Sequence, residues 1–225
     1  MPPPSGCDRR KELPAGQDDL VERLQAGPAQ GPVDSVPFPV MLAPMSNNRA
    51  TAPVRLRRYA RMALEGGATA AKVIPAQKVV TADWVRLKCQ YGCSGYGKRL
   101  GCPPRTPTPE ETRRVIAEYR WAVIYVFDSN RTMRLRRKWV CLLADIERQA
   151  FLDGHYKAFG FGAGPCRLCA DCNADGLCRH PETARPAMEA CGMDVYATCR
   201  NAGISLEVVT SAEATPRYVN LLLIE

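Results

Sequence analysis

Seven of the chain's eleven cysteines fall in two short stretches, and their spacing suits a metal. Cys166-Arg-Leu-Cys169-Ala-Asp-Cys172 is a Cys-x2-Cys-x2-Cys run with Cys178 following it. Two-residue gaps let successive thiolates converge on one cubane while the intervening amides point at its sulfur atoms, the spacing of ferredoxin-type [4Fe-4S] binding. In two-cluster ferredoxins the fourth cysteine of such a run ligates the other cluster and precedes a proline. Here five residues separate Cys178 from Cys172, and Arg179-His180-Pro181 follows, so the spacing leaves the cluster served by Cys178 open.

The other stretch is Cys89-x3-Cys93-x8-Cys102-Pro103-Pro104, with a glycine-rich loop between its second and third thiols. Either a fourth ligand comes from elsewhere, Cys178 or Cys191, or one iron stays open to water or substrate. In the second case Lys98, Arg99 or Arg105 would hold an anion beside it. Zinc is the chemical competitor, because tetrahedral thiolate sites also use Cys-x2-Cys pairs. The unbroken triplet favours iron–sulfur. A disulfide framework fits poorly: the cysteine count is odd, and the N-terminus has prolines and charges where a secretory signal needs an apolar run.

The remaining candidates read as structural. Cys141 and Cys199 stand among apolar residues on expected helices, Cys7 lies in a Pro-rich arm, and His155 and His180 are better explained as satisfied polar residues than as ligands. Gly160, Gly162 and Gly164, just before the second cysteine run, fit a tight turn or a close backbone approach to a cofactor. No phosphate-binding loop, serine nucleophile elbow or zincin pair is present, so any chemistry belongs to the metal.

Positioning these loops falls to alternating helices and strands. Residues 1–48 are Pro-, Gly- and Ala-rich with no apolar period and read as a disordered arm, and Met45 could even be the true start; residues 49–225 form one domain. Helical spacing runs from Pro53 to Gly66-Gly67, and Ala71 to Pro75 reads as a buried strand. Trp84 to Leu87 reads as a second extended piece. Thr108-Pro109-Glu110-Glu111 opens a helix to about Tyr119, and Trp121 to Phe127 is the strongest strand signal. A long helix runs from Asn130 or Thr132 to Leu152, with Met133, Trp139, Val140, Leu143, Ile146 and Phe151 inward. Its face of Arg131, Arg134, Arg136, Arg137 and Lys138 reads as solvated. A strand at Ala158 to Phe161, a helix near Val195 to Ala202, and strands at Ile204 to Thr210 and Tyr218 to Ile224 complete the chain. The fold class is therefore α/β: a central mixed sheet with flanking helices and cysteine-rich metal-binding loops.

The blocks Cys89 to Pro104 with Pro107-Thr-Pro-Glu-Glu-Thr112, and Cys166 to Cys178 with His180-Pro, Arg185-Pro, Met188-Glu-Ala-Cys191-Gly and Asp194-Val, resemble the domain of unknown function 2284 family of predicted metal-binding proteins. The resemblance runs from about Val54 to the C-terminus. It implies an iron–sulfur or other metal-binding prokaryotic protein with Cys89, Cys93, Cys102, Cys166, Cys169, Cys172, Cys178 and Cys191 at the motif positions, enough for two four-cysteine clusters. The Pro-rich arm departs from the family pattern.

The leading expectation is a cytoplasmic protein with one or two [4Fe-4S] clusters that transfers electrons or supports a partner enzyme. Its rivals are a cluster-dependent enzyme with one open iron at Cys89/Cys93/Cys102, and a structural zinc protein. The formal charge of +8 suits an acidic redox partner protein; nucleic acid is the weaker reading, and no apolar run of membrane-spanning length is present.

Overall fold

The computed structural model describes residues 52–128, 133–211 and 213–225. The arm at 1–48, the alternative start at Met45 and the first turn of the long helix lie outside them. The described residues belong to one compact unit.

A four-stranded sheet in the order β1-β2-β4-β3 forms the centre, from β1 (Ala70–Pro75), β2 (Trp121–Asp128), β3 (Phe159–Phe161) and β4 (Arg217–Ile224). Neighbouring strands are antiparallel, and one isolated parallel bridge joins Gly162 to Ala187 beyond β3. β2 and β4 pair along their whole lengths, from Trp121 opposite Ile224 to Asp128 opposite Arg217. Both are almost wholly buried, so their near-continuous apolar runs are what a sheet covered on both faces requires.

Alternation along β2 splits the core in two. Trp121, Val123, Tyr125 and Phe127 face α1 (Arg57–Glu65) and α4 (Met133–Leu152), meeting Leu56, Tyr59, Leu143 and Ile146. Ala122, Ile124 and Val126 face the opposite way, toward Ile116 of α3 (Pro109–Ala117), Cys199 of α5 (Val195–Asn201), and Met188, Cys191 and Met193. This second face also buries Cys191 and Cys199. Where Asn220 enters the core, its side-chain amide donates to the carbonyl of Trp139 at 3.4 Å.

The expected sheet, helices and cysteine-rich loops are present, with three local corrections. Trp84 to Leu87 is not extended: it opens α2 (Trp84–Gly92). The alternation of Val85 and Leu87 mimicked a strand, but only Val85 is buried, and Arg86 donates to the carbonyls of Pro107 and Ala190, fixing a helix by tertiary contact. Ile204 to Thr210 is irregular, anchored through Ile204 and Leu206, with Val208 exposed and no strand paired with it among the described residues. On α4, Trp139, Leu143 and Ile146 point inward, but Phe151 is 58% exposed on the last turn.

Candidate metal centre

The first thiol group is assembled from two elements. Cys89 lies on α2 and Cys93 immediately after it, four residues on and so on the same helical face. Extended backbone at Cys93 (φ −120°, ψ 123°) turns the chain into the loop that brings Cys102 back. Gly95 permits that return, since a Cβ there would sit 3.6 Å from Cys93 Sγ, 3.7 Å from Cys102 Sγ and 3.3 Å from Pro165 Cβ. Gly97 takes φ +70° and donates to the carbonyl of Pro103 at 2.8 Å.

Cys191 joins this group from a 3-10 turn (Glu189–Cys191) that ends in left-handed Gly192. Only glycine fits there, because a Cβ would come within 2.4 to 2.9 Å of Pro109. The turn is clamped to α2 and to the loop after Cys102: Arg86 Nη1 and Thr106 Oγ1 both donate to the carbonyl of Ala190, at 2.7 and 2.6 Å. The thiol of Cys89 donates to the carbonyl of Glu189 at 3.7 Å. Of the two fourth ligands left open by spacing, the structure therefore brings Cys191, not Cys178, to the first group.

Cys166, Cys169, Cys172 and Cys178 form the second group, on the irregular segment between β3 and the 3-10 turn. Arg99, from the loop of the first group, reaches across to donate to the carbonyls of Cys166 at 2.9 Å, Cys169 at 3.4 Å and Ala170 at 3.2 Å. The amide of Leu100, on that same loop, donates to Cys172 Sγ at 3.5 Å. Within the groups, Gly95 N–H points at Cys93 Sγ and His180 N–H at Cys178 Sγ, each at 3.4 Å. These amide donors are polar partners for sulfur bearing negative charge.

Burial pushes the thiol of Cys102 up to about 11, with Cys93 and Cys89 adding to the shift. Burial likewise pushes Cys191 up to about 12; Arg86 opposes that, while Glu189, Cys89 and Cys102 reinforce it. Cys89 is raised by burial and then by Cys93. Cys166 is raised by burial, opposed by the Leu168 amide, and raised further by Cys178, Cys169 and Cys172. Cys166 also raises Cys102, so the two groups influence each other across the joint. Thiols held neutral this way release protons when they bind metal. Among the described residues no three His, Cys, Asp or Glu side chains are grouped closely enough to hold a single metal ion.

The other candidates fall outside. Cys199 is buried in the core on α5, Cys141 is buried on α4, and His155 Nδ1 lies 2.9 Å from Glu225. Of the three glycines, Gly160 serves packing, since a Cβ there would come within 2.7 Å of Leu143 and 2.9 Å of Glu147, while Gly164 takes φ +64° and borders the cavity described below. Sequence reasoning missed Glu189 and misplaced Arg136. Glu189 Oε2 is buried without a hydrogen-bond partner, and Arg136 turns off the supposed solvated face of α4 to stack over Tyr218, 4.6 Å from its ring centroid. Both border a cavity of about 420 Å³ beside Cys89, Cys93 and Cys102. No sequence period marks either role.

An antiparallel sheet with cysteine-rich loops, in which backbone amides are aimed at sulfur, suits a cysteine-rich metal-binding protein. Residues 72–224 match the family model described as Predicted metal-binding protein (DUF2284), and the chain belongs to that family. No curated protein and no solved structure matches the chain. Among the described residues, no helix is long and apolar enough to cross a membrane.

Proposed function

We propose that the protein binds two [4Fe-4S] clusters, one on Cys89, Cys93, Cys102 and Cys191 and one on Cys166, Cys169, Cys172 and Cys178, and passes electrons to a partner protein. The donor set fits such clusters: eight thiols in two fours, with amide N–H groups directed at Sγ in both. Bound there, each cluster would store and release one electron at a time. The observation that carries a relay is the joint between the groups, where Leu100 and Arg99 of the first loop grip the second. Exposed Arg134, Arg137 and Lys138 on α4 suit an acidic redox partner in the cytoplasm.

The test is iron, sulfide and zinc content with an absorption spectrum, on protein purified without oxygen. About eight irons and eight sulfides per chain, with a brown colour bleached by dithionite, is the expected result. Zinc without sulfide would overturn it in favour of a structural site.

A second reading, a cluster-dependent enzyme, draws support from the cavity, which Cys89, Cys93 and Cys102 border and Cys191 does not. Cys191→Ala separates the two: a relay loses the first cluster's iron, whereas an enzyme with one open iron keeps it.

A further inference from the structure

The cavity of about 420 Å³ beside the first thiol group lies within the size range of small-molecule sites. Its lining includes the apolar side chains of Val195, Leu206 and Val219. Charged side chains also reach the lining, among them Arg136 and Glu189 together with Lys88, Asp194 and Arg217. The guanidinium of Arg136 stacks on the Tyr218 ring and interacts electrostatically with the Glu189 carboxyl, with no hydrogen bond or salt bridge to it among the described residues. Glu189 Oε2 is buried without a hydrogen-bond partner; burial disfavours the charged form of the carboxyl as a whole, while the backbone amides of Glu189 and Gly164 and then Arg136 favour it. A buried carboxyl oxygen without a partner is costly, and a stacked guanidinium fork matches a carboxylate.

We propose that this cavity binds a small organic acid, with its carboxylate at Arg136 and a hydroxyl or amino group on the neighbouring carbon donating to Glu189 Oε2. An apolar or aromatic remainder lies against Val195, Leu206 and Val219. One ligand thereby supplies the hydrogen bonds that Arg136 and Glu189 Oε2 lack among the described residues, which a purely apolar molecule would not. The inference rests on the proposed function only in setting the ligand beside a redox-active first thiol group; the pairing itself stands on the cavity. Trp84 on the cavity wall supplies a reporter.

The experiment follows tryptophan fluorescence and equilibrium dialysis of the full chain, purified without oxygen, with three probes: 3-phenyllactate, 3-phenylpropionate (no hydroxyl) and 2-phenylethanol (no carboxylate). Phenyllactate is expected to bind saturably, phenylpropionate several-fold more weakly, and phenylethanol about 10-fold or more weakly. Arg136→Gln should weaken phenyllactate by about 10-fold while leaving phenylethanol unchanged. Leu206→Trp, which fills the apolar end, should abolish binding of all three. Absence of saturable binding, or phenyllactate binding that Arg136→Gln leaves unchanged, overturns the inference. Iron and sulfide measured on the same samples keep the two readings apart. Two intact clusters with no binding sink only the organic-acid site, and Arg136-dependent binding in a protein without sulfide sinks only the clusters.

Discussion

The two thiol groups use the same donors but are supported in different ways. The first is mounted on regular structure: α2 presents Cys89 and Cys93, and Cys191 is fully buried in the core under the sheet, beside Met188 and Met193. Cys102, at 5% exposure, is nearly as enclosed. All four thiols of the second group are only partly buried, on a segment without helix or strand, and much of their support is polar. Arg99 grips its carbonyls, Arg105 pairs with Asp175 at 3.0 Å, and Arg185 anchors its far end to Glu147 of α4. A site framed by a core stands before metal arrives, whereas a loop with few apolar contacts gains much of its order from the metal. The apolar cavity lies against the framed group, and a smaller pocket lined by Lys98, Arg99, Arg167 and Asp171 lies at the joint with the other.

The largest expected effect comes from removing one thiol in each group. Cys169→Ala should remove about half of the iron and sulfide and expose residues 162–186 to limited proteolysis. Cys102→Ala should remove a similar share without loosening that segment. Loss of both clusters from either single substitution would show that the joint through Arg99 and Leu100 makes one cooperative site, which breaks the comparison.

Next in size is the polar anchor of the second segment. Arg185 and Glu147 form a bidentate pair at 2.7 and 2.8 Å, with side chains only 15% and 12% exposed, and Glu147 Oε2 also accepts the Gly160 amide at 2.8 Å. Glu147→Gln leaves a buried guanidinium unpaired, at a cost of about 3 kcal/mol in urea unfolding. Adding Arg185→Met should recover part of that loss, because the stranded charge is then gone. Iron at the first group should be unchanged in both variants. A smaller effect is expected from Arg99→Met, which removes three hydrogen bonds to carbonyls around Cys166 and Cys169. It should lower stability by about 1–2 kcal/mol and speed iron loss to a chelator from the second group only.

The same contrast explains what could be read in advance. β2 and β4 are dense apolar runs, and the cap at Thr108 is a local signal, so both were legible. Seven of the eight grouped thiols announced themselves by spacing. Which thiol completes the first group was not legible, because Cys191 reaches it through a turn locked by Arg86 and Thr106, contacts that span 104 and 84 residues. Distance in the chain also hid α2: its helix is fixed by partners far along the sequence, and its local alternation pointed to a strand. Arg136 read as solvated because periodicity locates a helix face but does not say what a neighbouring loop, here Gly164, lays over it.

The smallest effect probes the framed group from outside. Thr108 caps α3 with a full capping box: its hydroxyl accepts from the Glu111 amide at 3.2 Å, and its own amide donates to Glu111 Oε2 at 2.7 Å. Thr108→Ala should lower stability by about 1 kcal/mol, read from urea unfolding. The amide and hydroxyl of Thr108 hold the Glu111 carboxyl below its usual value. A depressed carboxylate stabilises the fold above its unfolded pKa and stops doing so as pH falls through the lowered one. The gap between wild type and Thr108→Ala should therefore be widest near neutrality and shrink in acid. Metal content should not change, since the clamp on Cys191 runs through Arg86 and Thr106, upstream of the cap. Iron lost from the first group in this variant would mean that the frame around Cys102 depends on α3 as well as on α2.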